Sequence, residues 1–134
     1  MKELEVISKT VKIENSDEKI FKFFSDFRNL SQLIPPDVKE WNADENTCTF
    51  SVKGQTVSIK IIEKEAFKHI KISSDESSKM PFNLWIQLKR LDTYQTAVRI
   101  VVRTELNMIM RATVKKPLKQ GLDQIADYLK LLPY

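Results

Sequence analysis

Residues 82–106 read FNLWIQLKRLDTYQTAVRIVVRTEL, in which two alternating apolar runs flank a short polar turn at residues 92–95. The apolar positions of the first run are Phe82, Leu84, Ile86 and Leu88, and those of the second are Val98, Ile100, Val102 and Leu106. Because successive side chains of a strand point to opposite faces, this pattern predicts two antiparallel strands that share one apolar face.

The same period of two continues towards the N-terminus. Apolar residues alternate with polar ones in three further segments: Cys48, Phe50 and Val52; Val57, Ile59 and Ile61; Ile70 and Ile72. Val38 and Trp41 mark another short strand, and residues 4–13 form an opening strand that is dense in β-branched residues. Successive strands of this kind predict an antiparallel sheet with one apolar and one wetted face.

Two short helices are predicted after the opening strand. Ser16 can cap the first helix, whose apolar face comprises Ile20, Phe23, Phe24 and Phe27. A second helical turn is expected over residues 30–34. Pro35 and Pro36 should end it, because proline lacks the N–H that continues a helix.

The C-terminal segment, about residues 107–131, predicts one long helix. Its apolar stripe is formed by Leu118, Leu122, Ile125 and Leu129. We expect this stripe to be buried against the apolar face of the sheet. Pro117 lies inside the segment, so a kink or break is predicted near residues 113–117.

The totals restrict the class of protein. A chain of 134 residues is expected to form one domain, residues 1–134. The formal net charge of +4 is too small to indicate nucleic-acid binding. The sequence has no signal-peptide-like stretch and no apolar run approaching ~20 residues, so we expect a cytoplasmic protein without a transmembrane segment. A monomer or a weak homodimer is expected.

Few residues could support catalysis or metal binding. Gly54 and Gly121 are the only glycines, which excludes glycine-rich phosphate loops. His69 is the only histidine and Cys48 the only cysteine, so clusters of these residues cannot form zinc, haem or iron–sulfur sites, and no cofactor is expected. The alternation predicts that Cys48 is buried and that His69 lies on the outer surface.

Charged residues of the C-terminal helix allow more than one interpretation. Asp123 and Asp127 lie one turn apart, and we expect them to form surface ion pairs with nearby lysines. A basic group without an acidic residue precedes them: Arg111, Lys115, Lys116 and Lys119. A solvated helix face is the simpler interpretation of this group, and contact with phosphate or an anionic membrane surface is the alternative.

The order of elements resembles the START-related SRPBCC superfamily, also called Bet v 1-like or helix-grip. Residues 10–21, TVKIENSDEKIF, are similar to the opening strand and helix start of that family, and residues 24–30, FSDFRNL, to its hydrophobic-x-x-Asp-hydrophobic helix end. The chain is most similar to small bacterial members of the polyketide cyclase and lipid-transport type. The resemblance implies an α+β fold, in which a curved seven-stranded antiparallel sheet wraps around the long C-terminal helix.

The resemblance also implies a cavity between sheet and helix, which in this family often holds a lipid, a polyketide or another apolar molecule. The residues predicted to line it are Phe24, Phe27, Leu33, Phe50, Ile59, Ile61, Ile72, Leu84, Ile86, Ile100, Val102, Met108 and Ala112. Enzymes of the family place polar groups inside this cavity, whereas the inward strand positions here are apolar. We therefore favour non-enzymatic binding of a small apolar ligand, such as a lipid, polyketide or isoprenoid-like molecule.

Two alternatives stay open. An enzyme of the cyclase or dehydratase type would need a reactive group at the cavity mouth, where Thr104, Glu105 and Arg111 are the candidates. An interaction protein without a ligand would instead expose an apolar patch around Leu131, Leu132 and Tyr134.

Overall fold

The structure, a computed structural model, describes residues 2–31, 34, 36–75 and 81–134. Eight strands, two α-helices and one 3₁₀ helix occur there. In chain order they are β1 (Lys2–Ile7), β2 (Val11–Ile13), α1 (Asp17–Phe24), the 3₁₀ helix (Phe27–Leu30), β3 (Val38–Ala43), β4 (Thr47–Val52), β5 (Gln55–Glu65), β6 (His69–Ser74), β7 (Phe82–Asp92), β8 (Gln95–Leu106) and α2 (Met108–Leu129).

All eight strands belong to one antiparallel sheet. Seven of them follow the order β1-β8-β7-β6-β5-β4-β3, and β2 also pairs with β8. The predicted α+β helix-grip fold is confirmed. The sheet has eight strands instead of seven because the opening strand, predicted over residues 4–13, is divided into β1 and β2.

The division between β1 and β2 results from one extra residue. Three residues separate Ile7 from Val11, whereas two separate their partners Val101 and Val98 on β8. Such a bulge reverses the alternation. As a result, the inward residues of the two strands, Leu4, Val6, Val11 and Ile13, are all buried on the same face.

Ser8 satisfies the backbone at this bulge. Its N–H donates to the carbonyl of Ile100 at 2.8 Å, and its Oγ accepts a hydrogen bond from the N–H of Ile100 at 2.8 Å. Ser8 is buried, so an unpaired amide at Ile100 would be costly. The serine hydroxyl therefore replaces the backbone carbonyl that a continuous strand would supply.

Helix α1 begins as predicted. Ser16 Oγ accepts a hydrogen bond from the N–H of Lys19 at 3.2 Å, which caps the first turn. Ile20 is fully buried, and α1 packs against β6 and β7. The apolar face predicted from helical spacing therefore contributes to the core.

The 3₁₀ helix starts earlier than the second helical turn predicted over residues 30–34. Asp26 Oδ1 accepts a hydrogen bond from the N–H of Arg28 at 2.9 Å, so a new turn begins directly after α1. Residues 32 and 33 of the predicted turn lie outside the described part of the chain.

A kink or a break was predicted near residues 113–117, and the break is wrong because α2 is continuous. Pro117 and Thr113 are both exposed, and water can solvate the carbonyl that the proline leaves without a donor. The buried stripe also differs from the prediction, because Ala126 is fully buried, Ile125 is 48% exposed and Leu118 is half-buried.

The C-terminal half of α2 is tied to the residues between β1 and β2 by charged groups. Asp123 Oδ1 accepts a hydrogen bond from the N–H of Lys9 at 2.6 Å, and Asp127 Oδ2 lies 2.6 Å from Lys9 Nζ. Lys119 Nζ donates to the carbonyl of Ile7 at 2.7 Å and to Asp123 at 3.1 Å. The predicted ion pairs of both aspartates are confirmed, and they join α2 to the sheet.

This arrangement predicts acid sensitivity. The hydrogen bond from the Lys9 amide holds the pKa of Asp123 below its usual value, and the Lys9 ammonium does the same for the pKa of Asp127. A carboxyl whose pKa is lower in the folded state stabilises the fold above its unfolded pKa and loses that contribution as the pH falls. We expect the free energy of unfolding of Asp123→Asn to fall less steeply between about pH 5 and pH 3 than that of the wild type.

Urea denaturation at several pH values measures this slope. Asp37→Asn is the matched control, because Asp37 is exposed and makes no ion pair within the described residues. Equal acid slopes in the wild type and Asp123→Asn would show that the bonds to Lys9 and Lys119 add nothing to the stability of the fold.

Candidate functional site

One face of the sheet, here called the inner face, packs against α1 and α2. Its residues are identified by the strand register, since directly paired residues lie on the same side: Val102 pairs with Leu84, Leu84 with Ile72, and Ile72 with Ile61. The inward positions predicted from the alternation in β5 to β8 all lie on this face. The inner face is buried near β8, where Val98 is 0% exposed and Ile100 is 3% exposed.

Burial decreases across the inner face towards β3, β4 and β5. Several inner-face side chains are only half-buried, and Val114 and Leu118 of α2 are half-buried next to the core as well. We call this set the inner apolar surface: Trp41, Phe50, Val57, Ile59, Phe82, Leu84, Val114 and Leu118. Helix α2 packs mainly on β1, β2 and β8. This explains why it covers the part of the inner face near β3, β4 and β5 less well.

Trp41 reaches the inner face through a second bulge. The pairing of β3 with β4 shifts register between Lys39 and Asn42, and Glu40 adopts a left-handed backbone conformation with φ of 55°. The Trp41 ring therefore stacks on Phe50, with a centroid distance of 5.6 Å and an interplanar angle of 25°. Its indole N–H donates to Ser31 Oγ at 2.9 Å, which fixes the ring at the edge of the sheet.

The polar groups of the inner face already have hydrogen-bond partners. Thr104 Oγ1 donates to the carbonyl of Pro81 at 2.7 Å, and Ser74 Oγ accepts from the N–H of Phe82 at 2.9 Å. Cys48 is buried, and its burial raises the pKa of the thiol to about 11. Both hydroxyls are bonded to backbone groups, and Cys48 stays a neutral thiol at physiological pH.

The predicted lining residues occupy three different environments. Phe50, Ile59 and Leu84 belong to the inner apolar surface, whereas Met108 and Ala112 are exposed on the first turns of α2. Leu33 lies outside the described residues. The remaining members are buried in the core: Phe24, Phe27, Ile61, Ile72, Ile86, Ile100 and Val102.

Some members of the inner apolar surface were not predicted as lining residues. Val57 and Phe82 were predicted to be inward strand positions, because the alternation of apolar and polar residues was enough to place them on the inner face. Trp41 lies on the inner face only because of the bulge at Glu40. Val114 is half-buried because α2 covers only part of the sheet. Neither feature has a signal in the periodicity of the sequence.

Arg111 is the one charged residue on the sheet-facing stripe of the N-terminal half of α2. It precedes Val114 and Leu118 by three and seven residues, so the three share a helix face. The residue is half-buried, and its Nε is buried without a hydrogen-bond partner. The other two candidates at the cavity mouth differ, because Thr104 is bonded to Pro81 and Glu105 is exposed.

The opposite, outer face carries the polar contacts. Trp85 lies between Lys71 and Arg103, whose cationic groups are 5.1 and 5.2 Å from the ring. His69 Nε2 lies 2.6 Å from Glu63 Oε2, and Nδ1 lies 3.3 Å from Glu65 Oε2. His69 is therefore on the outer side as predicted, but it is held between two carboxylates.

An open cleft of about 520 Å³ lies beside His69, and a second one of about 490 Å³ lies at the edges of β4, β5 and β6. None of their lining residues belongs to α2. Within the described residues there is no group of acidic, histidine and cysteine side chains that could hold a metal ion. No helix of the described part is long and apolar enough to cross a membrane.

The C-terminal residues that would form an interaction patch are mostly packed. Leu132 is buried, and the hydroxyl of Tyr134 donates to the carbonyl of Leu129 at 2.6 Å. Leu131 is 77% exposed, so it is the member of the predicted patch that faces solvent.

Comparisons with known proteins identify the fold. A scan against models of protein families gives no match, and a search of curated proteins gives none either. A START superfamily protein from Mycobacterium smegmatis has a TM-score of 0.74 at 19% identity, with 94% of each chain covered. Norcoclaurine synthase from Thalictrum flavum, in complex with dopamine and hydroxybenzaldehyde, has a TM-score of 0.75 at 14% identity, covering 97% of this chain and 86% of that one.

A third solved structure, a protein from Mesorhizobium loti, has a TM-score of 0.71 at 14% identity and 96% coverage of both chains. These likenesses, together with the long C-terminal helix against a curved antiparallel sheet, define the class. The chain has the START-related, Bet v 1-like helix-grip fold.

Proposed function

We propose that the chain binds a small apolar molecule, such as a lipid, a polyketide or an isoprenoid-like compound, against the inner apolar surface. The observation that supports this most is the incomplete burial of the apolar inner face. Helix α2 covers the side of the sheet near β8 and leaves aromatic and aliphatic side chains of β4 and β5 half-buried. Apolar surface that is left partly uncovered is typical of ligand sites.

The expected affinity follows from the area that a ligand would cover. Removing about 300 Å² of combined apolar surface from water contributes about 7–8 kcal/mol, and the entropic cost of association lowers the affinity below the micromolar constant to which that energy alone corresponds. The stacked rings of Trp41 and Phe50 offer a flat, rigid wall at one edge of the surface. Such a wall loses little conformational freedom on binding.

The inner face supports binding better than catalysis. The inner-face strand residues that the structure describes include neither a carboxylate nor a histidine, and the Thr104 and Ser74 hydroxyls are bonded to backbone groups. A cyclase or dehydratase needs a group that moves a proton at the reacting atom. We propose a non-enzymatic role, carried by a single domain over residues 1–134 that acts as a cytoplasmic monomer or weak homodimer.

The two tryptophans allow a direct test, because Trp41 lies on the inner apolar surface and Trp85 on the outer face. In Trp85→Phe, titration with decan-1-ol should shift the Trp41 emission to shorter wavelength in a saturable manner. In Trp41→Phe, the emission of Trp85 should stay unchanged. If only the emission of Trp85 shifted, the ligand would bind to the outer face, which contradicts the proposal.

Adjacent residues of β4 provide a matched pair of variants. Phe50→Glu puts a charge on the inner apolar surface and should weaken decan-1-ol binding at least about tenfold. Thr49→Glu puts the same charge on the outer face and should leave binding unchanged. The proposal is wrong if decan-1-ol binds to neither the wild type nor Thr49→Glu while both are folded by circular dichroism.

A further inference from the structure

Arg111 is a half-buried cationic side chain whose Nε has no partner among the residues that the structure describes. Its Nε is shielded from solvent and has no hydrogen-bond acceptor. Within the described part of the chain, its side chain forms neither an ion pair nor a hydrogen bond. A buried donor left unpaired is destabilising, and a charged one more so than a neutral one, so its presence calls for an explanation.

The positive charge around Arg111 favours the binding of an anion. Residues 107–122 contain four basic residues and no acidic one. Arg111 is also in the first turns of α2, where the helix dipole is positive and disfavours a cation. Lys119, by contrast, is bonded to Ile7 and Asp123, so the second basic residue of this face has its partners within the fold.

Arg111 lies at the border of the inner apolar surface. Val114, the next residue on the same helix face, is about 5 Å further along the helix axis, given the rise of 1.5 Å per residue. A ligand packed against Val114 and Leu118 therefore has one end next to the guanidinium. The planar fork of an arginine matches the two oxygens of a carboxylate or a phosphate.

We propose that Arg111 binds the anionic oxygen group of an otherwise apolar ligand, so that the site selects a long-chain carboxylate or phosphate monoester over a neutral molecule of the same length. This inference rests on the proposed function, since it assigns the polar end of a ligand whose apolar body lies on the inner apolar surface. Arg111 acts as a binding residue here and has no catalytic part.

Competition for N-phenyl-1-naphthylamine, an uncharged fluorescent probe, tests the inference. Decanoate, decyl phosphate and decan-1-ol share one apolar chain and differ in the terminal group. The wild type should bind at least one of the two anions about 10- to 100-fold more tightly than decan-1-ol, the range expected for a charge-assisted hydrogen bond. Which anion binds more tightly distinguishes a carboxylate site from a phosphate site.

Variants separate Arg111 from general positive charge. Arg111→Gln should reduce the preference for the anion to less than about threefold and leave the affinity for decan-1-ol unchanged, whereas Lys115→Gln, which removes an exposed charge one turn away, should keep the preference. Arg111→Lys should restore part of it. Thermal denaturation of Arg111→Gln should show no loss of stability, because the variant removes an Nε–H donor that is buried without a partner.

The outcomes distinguish the two proposals. Equal binding of the anions and decan-1-ol by the wild type overturns the role of Arg111 and leaves the apolar site standing. A preference that falls equally in Arg111→Gln and Lys115→Gln also overturns it, since it then reflects net charge alone. Failure of the wild type to bind N-phenyl-1-naphthylamine and decan-1-ol contradicts the proposed function itself.

Discussion

Replacing Ile20 by alanine should lower the free energy of unfolding by about 3 kcal/mol, within the range for truncation of fully buried aliphatic residues. Ile20 is 0% exposed and lies on the face of α1 that packs against β6 and β7. The loss has two parts, the transfer of the removed carbons and the cavity that they leave. For a chain of this size the melting temperature should fall by roughly 10 °C.

Urea denaturation of Ile20→Ala measures this effect, with Lys19→Ala as the control. Lys19 is adjacent in α1 and exposed, and only its backbone N–H bonds to Ser16, so its truncation should change stability by less than about 0.5 kcal/mol. A loss below about 1 kcal/mol for Ile20→Ala would show that α1 is not closely packed on the sheet.

Truncation of Tyr134 to alanine should cost about 3 kcal/mol, at the lower end of the range for large aromatic residues. The Tyr134 ring packs edge-on against Phe23 and Phe24, with centroid distances of 5.0 and 5.6 Å. Its burial raises the pKa of the phenol well above the usual range. The last residue of the chain therefore joins the end of α2 to α1.

Tyr134→Phe separates the ring from the hydroxyl. It keeps the two aromatic contacts and removes the hydrogen bond to the carbonyl of Leu129, so about 1 kcal/mol should be lost. Leu131→Ala is the control, because Leu131 is 77% exposed and its truncation should be nearly neutral. Equal losses for Tyr134→Phe and Tyr134→Ala would assign the whole effect to the hydroxyl.

The sheet could be predicted because β5 to β8 obey a period of two almost without exception. Phe82 to Leu88 and Val98 to Val102 are inward where the alternation places them. The bulges at Ser8 and Glu40 could not be predicted from the alternation. One extra residue reverses the alternation only where the pairing with the neighbouring strand accommodates it. The sequence pattern therefore did not distinguish Ser8, which bonds to Ile100, from other polar residues of a strand.

The candidate site could be predicted less well than the fold. The sequence identified the apolar character of Phe50, Ile59 and Leu84, but half-burial depends on where α2 ends its contact with the sheet, which periodicity does not encode. Arg111 appeared as one of four basic residues on a helix. Only the packing of its Nε against the protein separates it from the exposed Lys115 and Lys116.

The pairing of β1 with β8 has a consequence for the order in which the chain becomes structured during synthesis. Lys2 pairs with Leu106 and Ile7 with Val101, so β1 has no partner until β8 has been synthesised. The hairpins from β3 to β8 pair between neighbours in sequence and can form earlier. During that time, apolar Leu4 and Val6 belong to a segment that has no sheet partner. Unpaired apolar strands favour association with other nascent chains, which competes with folding.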